Sequence, residues 1–177
     1  MLKLSIALTI AFFSLTPSTF VSAHTADPLF VMMLGSWEGQ GMRTQQASGH
    51  KISIVARTET TLQSDQLISK SEITETPVDT NGAPLGPSRT YGREYWVRAL
   101  AGDQYEFGIG SGAHEKVFSI GVFNQNILEV EQSVGGSSPY IVHSRTRFED
   151  EVRDYTEVVS QNGKRLSQTL IQYRRLR

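Results

Sequence analysis

Apolar and polar residues alternate in short runs along most of the chain. Thr, Val, Ile, Tyr and Phe recur in these runs, and Gly, Asn, Asp and Pro separate them, which is the pattern of β-strands joined by tight turns. Successive hairpins with such short connections form an antiparallel meander. Ten strands are predicted, at residues 37–44, 51–63, 66–76, 89–100, 103–110, 116–124, 126–134, 138–149, 152–160 and 164–176.

A meander of this length has two free edges unless the sheet closes on itself. Closure removes both edges, so we expect an all-β fold, a closed antiparallel up-and-down β-barrel of about ten strands. One short helix is predicted at residues 27–34, where Asp27 is a candidate N-cap, Pro28 occupies the first helical position and apolar residues follow. A helix this short is suited to capping one end of the barrel.

The first 23 residues have the composition of a cleaved export signal. Lys3 gives a positive start, residues 4–15 are mostly apolar, and Val21 and Ala23 are small residues at the third-last and last positions. The apolar run is too short to span a bilayer comfortably, although an uncleaved anchor is the alternative. We expect a signal peptide at residues 1–23, a single barrel domain at residues 24–177, and a periplasmic or secreted location.

Charge and composition argue against several kinds of partner. Removal of residues 1–23 takes away Lys3 and no acid, which leaves 16 basic and 18 acidic residues and a formal charge of −2. A chain so close to neutral gives no electrostatic reason to expect nucleic acid or an anionic membrane as a partner. The sequence has no cysteine, so a lipid-anchored cysteine, a disulfide framework and a thiol nucleophile are excluded.

Candidate catalytic groups are few. The acidic run at residues 149–151 lies between two predicted strands, and a solvated turn explains it better than paired acid–base carboxylates. Ser111 lies between two glycines but lacks the pattern and the strand-to-helix setting of a nucleophile elbow. Glu129 and Glu131 share one strand face and would repel each other if buried, so that face is predicted to point outward. We therefore expect no enzymatic activity.

Residues 34–41, LGSWEGQG, place one tryptophan among three glycines at the start of the first strand. Glycine allows a sharp bend and a close backbone approach. The indole of Trp37 can plug the end of a small barrel if its N–H finds an acceptor. The alternative is an ordinary first strand with one core tryptophan.

This segment resembles the opening Leu-Gly-x-Trp-x-Gly-x-Gly of the nitrobindins, which are ten-stranded haem-binding barrels related to lipocalins and fatty-acid-binding proteins. A second set of segments resembles that family's Glu-x-Gly-Tyr-Trp-Arg…Asp-Gly…Glu…Gly-x-x-Glu stretch, namely residues 93–98, 102–103, 105–107 and 112–115. The resemblance extends over residues 29–177 and implies a calycin-like, lipocalin-like barrel.

Departures from the family pattern bear on the ligand. Glu94 replaces a glycine of the family, and Val97 replaces an arginine. In nitrobindins the haem iron is bound by a histidine near the C-terminus, whereas the matching stretch here has Gln168 or Thr169 at that place. Neither is a usual axial ligand to haem iron. The resemblance therefore implies the fold but not haem binding by the family's route: no cofactor is expected, and haem is a disfavoured guest.

Two other histidines can be considered as ligands. His143 alternates with Ile141 and Arg145 and is predicted to lie outside the barrel, whereas Tyr140, Val142 and Phe148 form the better inward face. His114 lies in a glycine-rich segment that leads toward the barrel mouth in the family's fold. It is the candidate internal ligand, and a solvated loop histidine is the alternative. No metal site is expected.

These observations together predict an exported barrel whose lumen holds a small, largely apolar molecule. Alternation leaves open which of two neighbouring residues points inward, and aromatic side chains also form ordinary cores. The alternative is a structural or protein-interaction barrel without a ligand, which offers the loop from Pro77 to Ser88 to a protein partner. The candidate ligand-binding residues are Trp37, Tyr95, Trp96, Phe107, His114, Phe118, Tyr140 and Tyr173.

Overall fold

The computed structural model describes residues 27–177. The predicted signal peptide at residues 1–23 lies outside the described residues and stays a prediction. A single 3₁₀ turn, Gly112–His114, separates the fifth and sixth strands. The elements are helix α1 at Pro28–Met33 and strands β1 at Gly35–Gln45, β2 at Lys51–Gln63, β3 at Gln66–Val78, β4 at Arg89–Ala99, β5 at Gln104–Ile109, β6 at Lys116–Asn124, β7 at Ile127–Val134, β8 at Tyr140–Phe148, β9 at Val152–Gln161 and β10 at Lys164–Arg175.

The ten strands form a closed antiparallel barrel in which each strand pairs with its neighbours in the chain. Pairing of β1 with β10 closes the barrel, with Trp37 opposite Arg175 and Gly41 opposite Ile171. The predicted fold class, a closed ten-stranded meander with one short N-terminal helix, is confirmed. The predicted loop from Pro77 begins later, at Asp79, because β3 continues to Val78, which forms a bridge with Pro84.

Tight turns set the register of the hairpins. β6 and β7 are joined through Gln125 and Asn126, whose φ angles are 49° and 63°, and β9 and β10 are joined through Asn162 and Gly163, at 50° and 74°. Two successive residues with positive φ form the type of turn whose twist matches the twist of the flanking strands. The sequence therefore fixes these hairpins locally.

Helix α1 covers one end of the barrel. The carboxylate of Asp27 accepts hydrogen bonds from the Phe30 N–H at 3.1 Å and from the Tyr105 hydroxyl at 3.0 Å, which caps the helix and ties it to β5. Among the described residues, no helix has the length and apolar character needed to cross a membrane. The helix buries Leu29, Phe30 and Met33 against a core formed by Leu67, Val97, Tyr105, Phe107, Phe123, Leu128 and Phe148.

Glycines in β1 make room for side chains inside the barrel. Strand alternation places Trp37, Gly39, Gly41 and Arg43 on the face toward the lumen. A Cβ atom at Gly39 would lie 2.5 Å from the ring of Tyr173. The absence of a side chain at Gly39 is thus what allows the Tyr173 ring to lie across β1 inside the barrel.

Candidate ligand-binding cavity

The lumen contains a cavity of about 570 Å³. Helix α1 and all ten strands contribute side chains to its wall. It extends from Met33 and Phe148 at the helix end to Ile109 and Lys116, where β5 ends and β6 begins at the opposite end of the barrel. A cavity of this size falls within the range of small-molecule sites, which is about 300–1,000 Å³.

Most of the wall is apolar. The rings of Tyr95 and Phe107 lie side by side, with their centroids 6.3 Å apart. Such a wall favours contact with an apolar or aromatic molecule. The aromatic lining residues are Tyr91, Tyr95, Phe107, Phe118, Phe148, Tyr155 and Tyr173, and the aliphatic ones include Ile54, Ile73, Leu128, Val130 and Val142.

The structure brings four of the eight candidate residues together on this wall. Tyr95, Phe107, Phe118 and Tyr173 line the cavity, whereas Trp37, Trp96, His114 and Tyr140 do not. The role of each residue in ligand binding stays a prediction.

The four other candidates lie in different surroundings. Trp96 alternates with the inward Tyr95, and its ring lies under the Arg98 guanidinium at 4.9 Å on the outer face of β4. His114 is exposed in the 3₁₀ turn, and Tyr140 is exposed at the start of β8. Tyr140 shares the alternation of the inward-facing Val142, but at the strand end its side chain lies outside the cavity.

Trp37 lies at the helix-covered end of the barrel and is 1% exposed. Its indole N–H donates to the Met33 carbonyl at 3.3 Å, which supplies the acceptor that a buried indole requires. The guanidinium groups of Arg153 and Arg175 lie 3.4 Å and 4.7 Å from the centre of its ring. Trp37 thus closes the lumen together with α1 rather than lining the cavity.

A charged network, which the sequence analysis missed, begins at Arg43 on β1. Its Nη1 atom lies 2.8 Å from Oε1 of Glu75, and the Tyr91 hydroxyl donates to the same oxygen at 2.8 Å. Burial lowers the pKa of Arg43, but the carboxylates of Glu75 and Glu157 more than offset this effect, so the pKa lies above its ordinary value. The positive charge of Arg43 is therefore compensated within the protein.

The network continues through Glu157 on β9. Its Oε2 atom accepts from the Tyr155 hydroxyl at 2.8 Å, and its Oε1 atom accepts from the Thr169 hydroxyl at 3.3 Å. Thr169 in turn accepts from Nε of Arg43 at 3.2 Å. Burial, together with the Glu157 charge, raises the pKa of Tyr155 well above 10, so this phenol stays a donor at neutral pH.

The residues present do not fit axial ligation of haem by histidine. Thr169, which is 2% exposed, stands at the place where the resemblance implies the ligand, and its hydroxyl is engaged by Glu157 and Arg43. Within residues 27–177, the histidines at positions 50, 114 and 143 are exposed and lie outside the cavity wall. That part of the chain also contains no cluster of three or more His, Asp or Glu side chains placed to hold a metal ion. The predicted external position of His143 is confirmed.

Comparison with known proteins supports the fold. Neither a scan against protein-family models nor a search of curated proteins found a match. Among solved structures, the S-type phycobiliprotein lyase CPES from Guillardia theta has a TM-score of 0.59 and 9% identity, over 86% of this chain and 93% of that one. Rv2717c from M. tuberculosis has a TM-score of 0.55 and 15% identity, over 88% of this chain and 97% of that one.

At these identities the likeness shows the fold alone. The chain is a closed antiparallel barrel of ten strands, and the likeness to Rv2717c and to the lyase supports this fold. The architecture expected from the motifs at residues 34–41 and 93–98 is thereby confirmed. What a barrel of this kind binds has to be argued from its own lumen.

Proposed function

We propose that the protein is an exported carrier that holds one small, largely apolar molecule in its lumen. The observation that supports this proposal is the cavity of about 570 Å³, which is walled mainly by aromatic and aliphatic side chains from strands β2 to β10. A barrel without a ligand would more simply fill its interior with side chains. The Arg43–Glu157 network gives the wall a polar segment that can pair with one polar group of the bound molecule.

A lumen-filling variant tests the proposal. The probe N-phenyl-1-naphthylamine is uncharged and becomes fluorescent in apolar surroundings. Ser144 lines the cavity, and its neighbour His143 points outward on the same strand. Ser144→Trp is expected to weaken probe binding at least tenfold because the indole occupies the lumen, and His143→Trp is expected to leave it within about twofold. Equal binding by both variants would place the probe outside the lumen and contradict the proposal.

The natural ligand can be sought directly. Protein purified under mild conditions is extracted with organic solvent, and the extract is analysed by mass spectrometry. We expect one apolar compound at close to one equivalent per chain. We also expect this compound to be recovered chemically unchanged after incubation with fresh protein, because the proposed function is binding without turnover.

The alternative function uses the loop after β3. The Asp79 carboxylate accepts from the Asn81 and Ala83 N–H groups, both at 2.8 Å, so the loop has a fixed shape in which Leu85 is 66% exposed. An exposed leucine on a rigid scaffold is a recognition feature. A protein that is free of extractable ligand and binds a protein partner, with binding lost in Leu85→Asp, would favour this alternative.

Export is the remaining part of the proposal. Cleavage after Ala23 makes His24 the first residue of the mature chain. N-terminal sequencing of protein recovered from the periplasm or the medium is expected to begin at His24. Recovery of the uncleaved chain from the cytoplasm would contradict export without affecting the argument for the lumen.

A further inference from the structure

We propose that the helix end of the cavity binds an oxyanion of the ligand through Arg153, with the phenols of Tyr95 and Tyr173 as neighbouring donors. The ligand class is an aromatic or otherwise apolar molecule with one carboxylate-like group. This inference rests on the proposed carrier function and specifies which molecules the lumen accepts.

Arg153 is a buried cation on the cavity wall. It belongs to β9, is 7% exposed and lines the lumen. Its Nη2 atom donates to the carbonyl oxygens of Met32 and Met33 at the end of α1. The buried Nε atom has no hydrogen-bond partner within the described residues, and Nη1 donates to none of them either. Part of the hydrogen-bonding capacity of the guanidinium is therefore unused.

The charge of Arg153 is also uncompensated. The carbonyl oxygens of α1 and the face of Trp37 stabilise it, but the charged side chain that acts on it, Arg175, is another cation. Among residues 27–177, no carboxylate forms an ion pair with Arg153, whereas Arg43 has Glu75. Burial lowers the pKa of Arg153 to about 9, yet the group is still protonated at neutral pH. A buried cation without a counter-charge is costly, and an anion in the lumen would relieve that cost.

Two phenols lie beside this cation. Tyr173 is directly opposite Arg153 in the pairing of β9 with β10, and Tyr95 reaches the same region from β4; both line the cavity. Their hydroxyl groups make no hydrogen bond to any described residue and are free to donate. Burial raises the pKa of Tyr173 to about 12, so its phenol stays protonated at neutral pH. One cation and two phenolic donors form a set that suits an oxyanion.

The opposite charge on the same strand gives the ligand an orientation. Glu157 lines the cavity four residues beyond Arg153 on β9, which corresponds to about 13 Å along an extended strand. A ligand anion is attracted to Arg153 and repelled by Glu157. The apolar body of the ligand would then lie along Phe107, Phe118 and the aliphatic side chains of the wall.

A matched pair of ligands tests this inference. Biphenyl-4-carboxylate and biphenyl-4-methanol share one apolar body and differ in charge. In the wild-type protein at pH 7.5, we expect the carboxylate to displace N-phenyl-1-naphthylamine at a concentration at least tenfold lower than the alcohol does. Equal displacement would overturn the anion site and leave the carrier proposal standing. Failure of the wild-type protein to bind the naphthylamine probe would overturn both.

A matched pair of variants identifies the residue. Arg175 also stacks on Trp37 and donates to the Met32 carbonyl at 3.4 Å, but it does not line the cavity. Arg175→Met removes contacts with Trp37 and α1 of the same kind, without changing the cavity wall, and therefore serves as the control. It is expected to keep the tenfold preference for the carboxylate over the alcohol. Arg153→Met is expected to reduce it to within about twofold, and Arg153→Gln provides the same test if the methionine variant does not fold. A preference that survives in both Arg153 variants would overturn the assignment.

Discussion

Trp37 is a residue whose ring is packed in the core and whose N–H group is hydrogen-bonded. Its ring is 1% exposed, its N–H is bonded to Met33, and two guanidinium groups stack on it. Truncation would leave a cavity beneath α1 and remove the surface on which Arg153 and Arg175 rest. We expect Trp37→Ala to lower the free energy of unfolding by about 3–5 kcal/mol, the range found for large buried aromatic residues, as measured by urea denaturation.

Tyr140 provides the control for this substitution. It is an aromatic residue that is 36% exposed at the start of β8, so Tyr140→Ala is expected to cost less than about 1 kcal/mol. A loss below that value for Trp37→Ala would show that Trp37 is not needed to close the helix end.

The charged residues inside the lumen could not be recognised as a group from local sequence patterns. Arg43, Arg153 and Glu157 occupy inward positions by strand alternation, but charge alone places such residues outside. Arg43 finds its partners on other strands, 32 residues away at Glu75 and 126 residues away at Thr169. Pairing of β1 with β10, which closes the barrel, places Arg43 directly opposite Thr169. The usable signal was the alternation itself, which puts Arg43 on the face of Trp37 and Glu157 on the face of Tyr155.

At the scale of strands and turns, the sequence is a better guide. All ten strands lie within two residues of their predicted bounds because the hairpin turns have local signals such as Asn162-Gly163. Glu129 and Glu131 are exposed as predicted, and Glu129 pairs with Arg145 at 3.4 Å. The choice between Tyr95 and Trp96 was beyond the sequence, since both are large aromatic residues and only the register of β4 in the barrel decides which one faces the lumen.

The seam between β1 and β10 depends on a glycine. A Cβ atom at Gly41 would meet the carbonyl oxygen of Leu170 and lie 2.7 Å from Cα of Ile171. Because these are backbone atoms, the strands would have to separate. We expect Gly41→Ala to lower the free energy of unfolding by about 1–3 kcal/mol, as overpacking does, and to speed hydrogen exchange in β1 and β10.

Gly92 is the matched control on β4. The nearest atom to a Cβ atom there is the carbonyl oxygen of Ser71 at 3.8 Å, an ordinary contact. Gly92→Ala is expected to leave stability within about 0.5 kcal/mol or to raise it slightly. If Gly41→Ala and Gly92→Ala had equal effects on thermal unfolding, the close approach of the strands at Gly41 would not be needed for the pairing of β1 with β10.

At the scale of the whole molecule, one lumen contains both an arginine that is paired with carboxylates and an arginine that, among the described residues, is not. Arg43 is neutralised by Glu75 and Glu157, and Arg153 lies at the helix end without a carboxylate partner among residues 27–177. Both arginines line the same largely apolar cavity. This arrangement combines a general feature of small β-barrels, an internal cavity, with charges that belong to this chain.

The same arrangement leads to a prediction about haem. The histidines at positions 50, 114 and 143 lie outside the cavity wall, and the Thr169 hydroxyl is held by Arg43 and Glu157. Axial ligands give bound haem much of its affinity and its spectrum. We therefore expect that titration with haem, followed by absorption spectroscopy, shows no sharp Soret shift saturating at one equivalent per chain.

If a saturating Soret shift is observed, two variants would identify the iron ligand. A saturating shift that disappears in His114→Ala would require the 3₁₀ turn to fold into the lumen and would make His114 the iron ligand. A shift that persists in His114→Ala and disappears in Tyr173→Phe would assign the iron to the Tyr173 phenol, which lines the cavity opposite Arg153. That second outcome would mean that a phenol of the lumen, rather than a histidine, supplies the axial ligand.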